Sequence, residues 1–222
     1  PVWNNCGNNL LNSPMISIRK FGETDFKQWD LFVPNANNGT LFHLRRFINY
    51  HPEGRFEDHS LAFYKKNNLF TVFPAAKVSQ NGKRLLISHP GTTMGSFVVP
   101  ENLSIADSIS LVKKLVVYAR DKNFDGIQIM LPPVFYQKRP SNYIDFSLFR
   151  NGFSYYKREV TSTLFLESNL DQNLQKFRPS HKRAVRKAQN KGIEVRRSKR
   201  IKEFYRILKK NLKIRHGVEP TH

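Results

Sequence analysis

The chain contains one cysteine, Cys6, so no intramolecular disulfide can form, and a reducing compartment, the cytoplasm, is the expected setting. It has no apolar run long enough to span a membrane; the stretch LVKKLVVYA is interrupted by Lys113 and Lys114. The polar start PVWNNCGNNLLNS lacks the pattern of a signal peptide. His43, His51, His59 and His89 match no zinc spacing and have no second cysteine to help, so no metal is expected. Acidic residues are scarce, with 17 Asp/Glu against 37 Lys/Arg and a net charge of +20. The deficit is uneven: from Gln172 onward 17 Lys/Arg face 3 Asp/Glu. That tail calls for an anionic partner, either a phosphate-bearing substrate, nucleic acid or a membrane surface.

What is present suits a folded protein. The 222 residues are enough for one domain and part of another, and 39% hydrophobic with 13% aromatic content can fill a core. After a loose Asn-rich leader over 1–14, MISIRKF alternates like a strand. GETDFKQWDLFV reads as a short helix ended by Pro34, and His43–Tyr50 as a second. SLAFYK and LFTVFPAAKV read as strands joined at Asn67-Asn68, a hairpin by its turn residues, with RLLIS and SFVV as further strands. Ser104–Lys122 is the clearest helix, with Ser104 as N-cap and Ile105, Ile109, Val112, Val116 and Ala119 as its buried stripe. GIQIML is a strand stopped by Pro132, and NYIDFSLFRNGF a helix. FSYYKR and TSTLFLE complete the set as two strands. The fold class expected is mixed α/β, with helices flanking a mixed sheet.

The composition changes after Glu167. A weak helix near Asp171–Phe177 leads into RPSHKRAVRKAQNKGIEV. There Pro179 suits a first helical turn and Gly192 a helix stop, followed by a strand, GIEVRR. His181, Ala184, Val185 and Ala188 share one side of the helix, and its cations point away from it. A last helix near Ser198–Arg215 carries an apolar stripe of Ile201, Phe204, Tyr205, Leu208 and Leu212.

Arg178, Lys182, Arg183, Arg186 and Lys187 are the candidate phosphate-binding residues, arginine being able to grip phosphate in two places. A merely solvated helix face is the competing reading. SHPGTTMGS is either a backbone-rich ligand loop or a plain connection; it has neither the spacing nor the lysine of a P-loop. Asp58-His59 reads as an acid/base pair or as turn capping. Cys6 sits in the leader and makes a poor nucleophile, and no catalytic residue is assigned.

The blocks GTLFHLRRFINYH, DHSLAFYKKNNLFTVFPA, ISHPGTTMGSFVV, RNGF…TSTLFLE, RAVRKAQNKGIEV and IKEFYRILKKNLKIRHGVEPTH follow one another in an order that resembles the FemAB/BioF2-like branch of the GNAT acyltransferases. The resemblance implies two tandem GNAT-like domains, here a first domain over 15–167 and the opening segment of an incomplete second over 168–222. It implies transfer of an acyl or aminoacyl group to an amine of an anionic or nucleotide-linked substrate. Acyl-CoA or aminoacyl-tRNA would be the donor in the parent protein. The stretch FVVPENLSIADS before the central helix has no glycine, whereas GNAT enzymes bind the CoA pyrophosphate there with a glycine-containing loop. The first domain is therefore expected to serve the substrate side, and the chain, read as a fragment, to be inactive alone. The alternative is a basic nucleic-acid-binding module without catalysis.

Overall fold

Short apolar strands and one long amphipathic helix build the first part of the chain, in a computed structural model that describes residues 16–220. The expected leader over 1–14, with Cys6, lies outside the described residues. The chain divides into two compact units, one ending at Tyr156 and the other starting at Lys157.

The first unit runs β1 (Ile16–Lys20), α1 (Phe26–Asn35), α2 (Arg45–Ile48), β2 (Glu57–Asp58), β3 (Leu61–Lys65), β4 (Asn68–Phe73), β5 (Ala76–Gln80), β6 (Lys83–Ser88), α3 (Ile105–Asp121), β7 (Gly126–Ile129) and α4 (Tyr143–Arg150). One antiparallel sheet has the order β1-β3-β4, and a second the order β2-β5-β6-β7. In the second, β6 and β7 are parallel, and α3 makes the crossover between them. The β3–β4 hairpin turns at Lys66 and Asn67, both at positive φ, as the right-handed twist of paired strands favours.

Helices cover both faces of the β-layer. Leu61, Phe63, Phe73 and Phe97 pack with Leu111, Val112, Leu115 and Ala119 of α3 and Leu148 of α4. On the other side Val72 and Val98 pack with Trp29 and Val33 of α1. A buried Ser108–Ser147 hydroxyl contact at 2.8 Å joins α3 to α4. The first unit is thus mixed α/β. Arg45, itself buried, donates to Asp58 at 2.7 Å and to Ser60 at 2.9 Å, with its guanidinium over Phe21. Burial alone would raise the Asp58 pKa, but the charge and hydrogen bonds of Arg45, with those of Ser60, hold it below the ordinary value.

Several expectations need correction. LFTVFPAAKV is two strands in different sheets, because Pro74 cannot continue a ladder. The second short helix spans only Arg45–Ile48, after a 3-10 turn over Leu41–His43. Pro34 lies in the last turn of α1 and does not end it before that residue. SFVV contributes one bridge, Val98 to Val72. The α3 stripe is buried as expected at Val112, Val116 and Ala119 and is wider, taking in Leu111 and Leu115, whereas Ile105 is 40% exposed. FSYYKR, TSTLFLE and GIEVRR form no strands, since no neighbouring strand pairs with them, and Phe165 and Val195 are 71% and 99% exposed.

The second unit contains α5 (Leu170–Gln175), α6 (Pro179–Asn190) and α7 (Ile201–His216). No residue of these three helices is buried.

Two substitutions test the packing of the first unit. Val112→Asp places an unpaired charge where no solvent reaches and should cost several kcal/mol, roughly 3–5. A melting temperature equal to wild type would contradict the core. Asp58→Asn leaves the Arg45 charge buried without its partner. The expected loss is about 2–4 kcal/mol, less than for a fully buried pair because the Asp58 side chain is 35% exposed. In the wild type the pair's contribution is present above an ordinary Asp pKa of about 3.9 and fades as pH falls below that through the depressed native value. Urea titration of both proteins at pH 7 and pH 3 measures this; the gap between them should shrink at pH 3.

Candidate functional site

Local sequence explains where α6 starts and stops. Arg178 is the extended N-cap and Pro179 the first helical residue, where its missing N–H costs nothing. At the other end Gly192 adopts φ 69°. Its N–H donates to Gln189 O at 2.9 Å, and the Ile193 N–H to Ala188 O at 3.1 Å. This pair of bonds closes the helix with a left-handed glycine.

The helix arranges its cations in ridges. Arg178, Lys182 and Arg186 follow one another at intervals of four residues, as do Arg183 and Lys187. Lys182 is half-buried and the other four are exposed. Like charges four apart on a helix repel, at about 0.2–0.5 kcal/mol per pair. Among the described residues none of the five enters an ion pair. Five of the six acids of this unit are engaged elsewhere, Glu159 with Lys157, Glu167 with Lys176, Glu194 with Arg196, Glu203 with Arg200, and Glu219 with Lys209, and the sixth, Asp171, lies in the first turn of α5. An anion lying along α6 would relieve repulsion that the unit itself leaves uncompensated. The five sequence-predicted residues therefore share one helix, in two rows.

The start of α3 is different. Ser104 Oγ accepts the Asp107 N–H at 3.1 Å, and the Asp107 carboxylate accepts from Lys65 Nζ at 2.7 and 2.8 Å. The helix places its own carboxylate at its positive end, and Lys65 of β3 neutralises it. No glycine brings a backbone close to a ligand there.

The carboxyl ends of β6 and β7 are occupied as well. The Gly95 N–H donates to Met130 O at 2.9 Å, and the Ser96 N–H to Ser88 Oγ at 2.7 Å. A Cβ on Gly95 would lie 2.3 Å from Ser88 O, so glycine is required for this approach. His89, Met94, Ser96 and Phe97 are buried. SHPGTTMGS is a packed structural segment in this conformation.

Asp58 and His59 are not an acid/base couple. Asp58 engages Arg45 and Ser60, while His59 Nε2 meets Tyr118 Oη at 2.9 Å. Among the described residues no group of three His, Cys, Asp or Glu could hold a metal ion. None of their helices is long and apolar enough to cross a membrane. What the sequence reading missed is the work of His43 and His51, which donate to Gly95 O and Gly91 O. Two glycines within a short histidine-flanked segment were the available signal.

The sequence matches no protein-family model and no curated protein. Solved structures similar to the chain include a GNAT family acetyltransferase from Staphylococcus aureus, at 13% identity and a TM-score of 0.43, covering 67% of this chain and 98% of that one. A ribosomal-protein-alanine N-acetyltransferase from Brucella melitensis is similar at 11% identity and a TM-score of 0.43, covering 67% of this chain and 99% of that one. An aminoglycoside N-acetyltransferase in complex with CoA is similar at 15% identity and a TM-score of 0.41, covering 70% of this chain and 99% of that one. At these values the likenesses decide nothing about the chemistry of this chain.

The self-capped start of α3 makes a direct prediction. Acetyl-CoA titrated calorimetrically into the chain should give no saturable micromolar binding. Saturable heat that persists as salt is raised would contradict the reading of this helix start as closed.

Proposed function

We propose that the chain is part of an N-acyltransferase of the GNAT kind, in the FemAB/BioF2-like branch, acting in the cytoplasm. Residues 15–167 are its first GNAT-like domain, and 168–222 open an incomplete second one. The parent protein transfers an acyl or aminoacyl group, from acyl-CoA or aminoacyl-tRNA, to an amine on an anionic or nucleotide-linked substrate. Support for the scaffold comes from the α3 crossover between parallel β6 and β7 after an antiparallel meander, together with the ordered sequence blocks that resemble the branch. The observation that carries the substrate class is the uncompensated double row of cations on α6.

In this chemistry an amine attacks a thioester or ester carbonyl without a covalent enzyme intermediate. The protein contributes by positioning both reactants and stabilising the oxyanion. Arg178, Lys182, Arg183, Arg186 and Lys187 would hold the phosphates of the substrate and leave its amine to face the donor. The first domain, with the α3 start closed by Asp107, serves the substrate side.

The test compares two double charge reversals in binding of uridine diphosphate and of tRNA. Arg183→Glu with Arg186→Glu should weaken binding tenfold or more beyond Lys209→Glu with Lys210→Glu, although net charge changes equally. The α6 helix should persist, because each reversal puts an acid four residues from Lys187 or Lys182. Circular dichroism checks this. Equal losses would favour a diffuse electrostatic tail and a nucleic-acid-binding module. No loss in either protein would overturn the α6 site.

A further inference from the structure

The short helix α2 and the 3-10 turn before it leave four side chains around one depression. Leu41 comes from the turn, Arg46 and Phe47 from α2, and Tyr50 from the residues just after it. Spacing explains the grouping. Arg46 and Tyr50 are four residues apart and Phe47 and Tyr50 three, so they share one side of a helical path. The Tyr50 N–H donates to Phe47 O at 3.3 Å, which carries that path far enough to keep Tyr50 with the other two. The depression has a volume of about 340 Å³, within the range of roughly 300–1,000 Å³ at which small molecules are held.

Its aromatic walls are held in place by their neighbours. Phe47 contacts Tyr50 with ring centroids 5.3 Å apart and meets Phe42 edge to face at 5.3 Å. Tyr50 lies 4.6 Å from the ring of His51, whose Nε2–H donates to Gly91 O at 2.8 Å. The rings are therefore in position before any ligand arrives, yet Leu41 and Tyr50 remain 56% and 51% exposed. Arg46 supplies the charge. Its neighbour Arg45 is buried and matched by Asp58, whereas Arg46 is exposed and its guanidinium enters no ion pair among the described residues. Asp30 accepts the Arg45 and Arg46 backbone N–H groups at 2.6 and 3.4 Å and is thereby committed to the start of α2.

We propose that this depression binds a small aromatic carboxylate, with its ring against Phe47 and Tyr50 and its carboxylate gripped by Arg46. A flat body suits walls that are themselves rings, since offset and edge-to-face contacts between aromatic groups add to the area they bury. A carboxylate suits an unpaired guanidinium, whose fork of N–H donors matches its two oxygens. An organic cation would meet Arg46 with like charge. Asp30, beside the start of α2, opposes a second negative charge on the ligand, so a carboxylate fits better than a diphosphate. This site does not depend on the cations of α6, and either could exist without the other.

Chemical-shift mapping on the full chain tests this, with 2-naphthoate as probe and 2-naphthalenemethanol as its uncharged counterpart. Naphthoate should move the amide signals of Leu41, Arg46, Phe47 and Tyr50 saturably and bind about tenfold more tightly than the alcohol. Arg46→Gln should bring the two ligands within about twofold of each other. Arg150→Gln changes net charge equally, at an exposed arginine next to the exposed Phe149 on α4, and should leave the preference for the acid intact. Leu41→Ala should weaken both ligands alike, by about threefold. Shifts on α6 or across the surface with those four amides unmoved would overturn the site. A preference for the acid that survives Arg46→Gln, or that Arg150→Gln lowers as much, would do so too. So would shifts of the four amides that grow with protein concentration before ligand is added, since a second copy would then be the occupant. Should Arg46→Gln not fold, the mapped amides and the comparison of wild type with Arg150→Gln and Leu41→Ala decide.

Discussion

Two sheets that share no strand are joined by one buried segment, Gly95 to Val99. On one side Val98 exchanges backbone hydrogen bonds with Val72 of β4, at 2.8 and 3.3 Å. On the other, the Gly95 N–H reaches Met130 O just beyond β7, and the Ser96 N–H reaches Ser88 Oγ at the end of β6. Asn38 completes the seam, donating to Phe97 O at 2.8 Å and accepting the Val99 N–H at 2.9 Å. All of these residues except the half-buried Met130 are buried, so each unmade bond between buried groups would cost about 1–3 kcal/mol. Alternate side chains serve opposite faces: Phe97 joins the α3 core, and Val98 joins the α1 core. The same segment thus supplies the hydrogen bonds between the sheets and a side chain to each core.

The distinction between local and distant causes explains what could be read from the residues. The start of α3 is legible because Ser104, Asp107 and the apolar positions that follow lie within one window. The ends of α6 are legible for the same reason, through Pro179 and Gly192. Strand pairing depends on partners far along the chain. Period-two alternation in FSYYKR and TSTLFLE describes a strand-competent segment, but a strand exists only where an edge accepts it. The histidines were harder still. His43 meets Gly95 across 52 positions, and nothing in the spacing of His43, His51 and His89 announces that all three serve one loop. The phosphate candidates stood out because a helix groups residues that are already close in sequence.

The two units handle charge in opposite ways. In the first, the buried ions are matched: Arg45 with Asp58, Asp107 with Lys65, Asp25 with Arg19. These pairs sit where strands or helices meet, and removing one partner would strand the other in a poorly solvated place. In the second, the pairs formed by Glu159, Glu167, Glu194, Glu203 and Glu219 lie at the surface, where such contacts contribute little. The second unit has 19 Lys/Arg against 6 Asp/Glu, so most of its cations can have no internal partner. Its charge is a field offered outward, and α6 is where that field is laid out on a regular scaffold.

Two positions in the first unit that an α/β fold could give to a ligand are filled by the chain itself. The start of α3 holds Asp107 in place of an external anion, with Lys65 to balance it. The ends of β6 and β7 hold Gly95 and Ser96. Filling them has a physical consequence. A helix dipole already neutralised by a capped carboxylate offers little to an incoming phosphate, which would first have to displace a bond to lysine and face a fixed negative charge. The cations of α6 carry no such obstacle, since no carboxylate must leave before an anion arrives. An anion would therefore meet less resistance along α6 than at the start of α3.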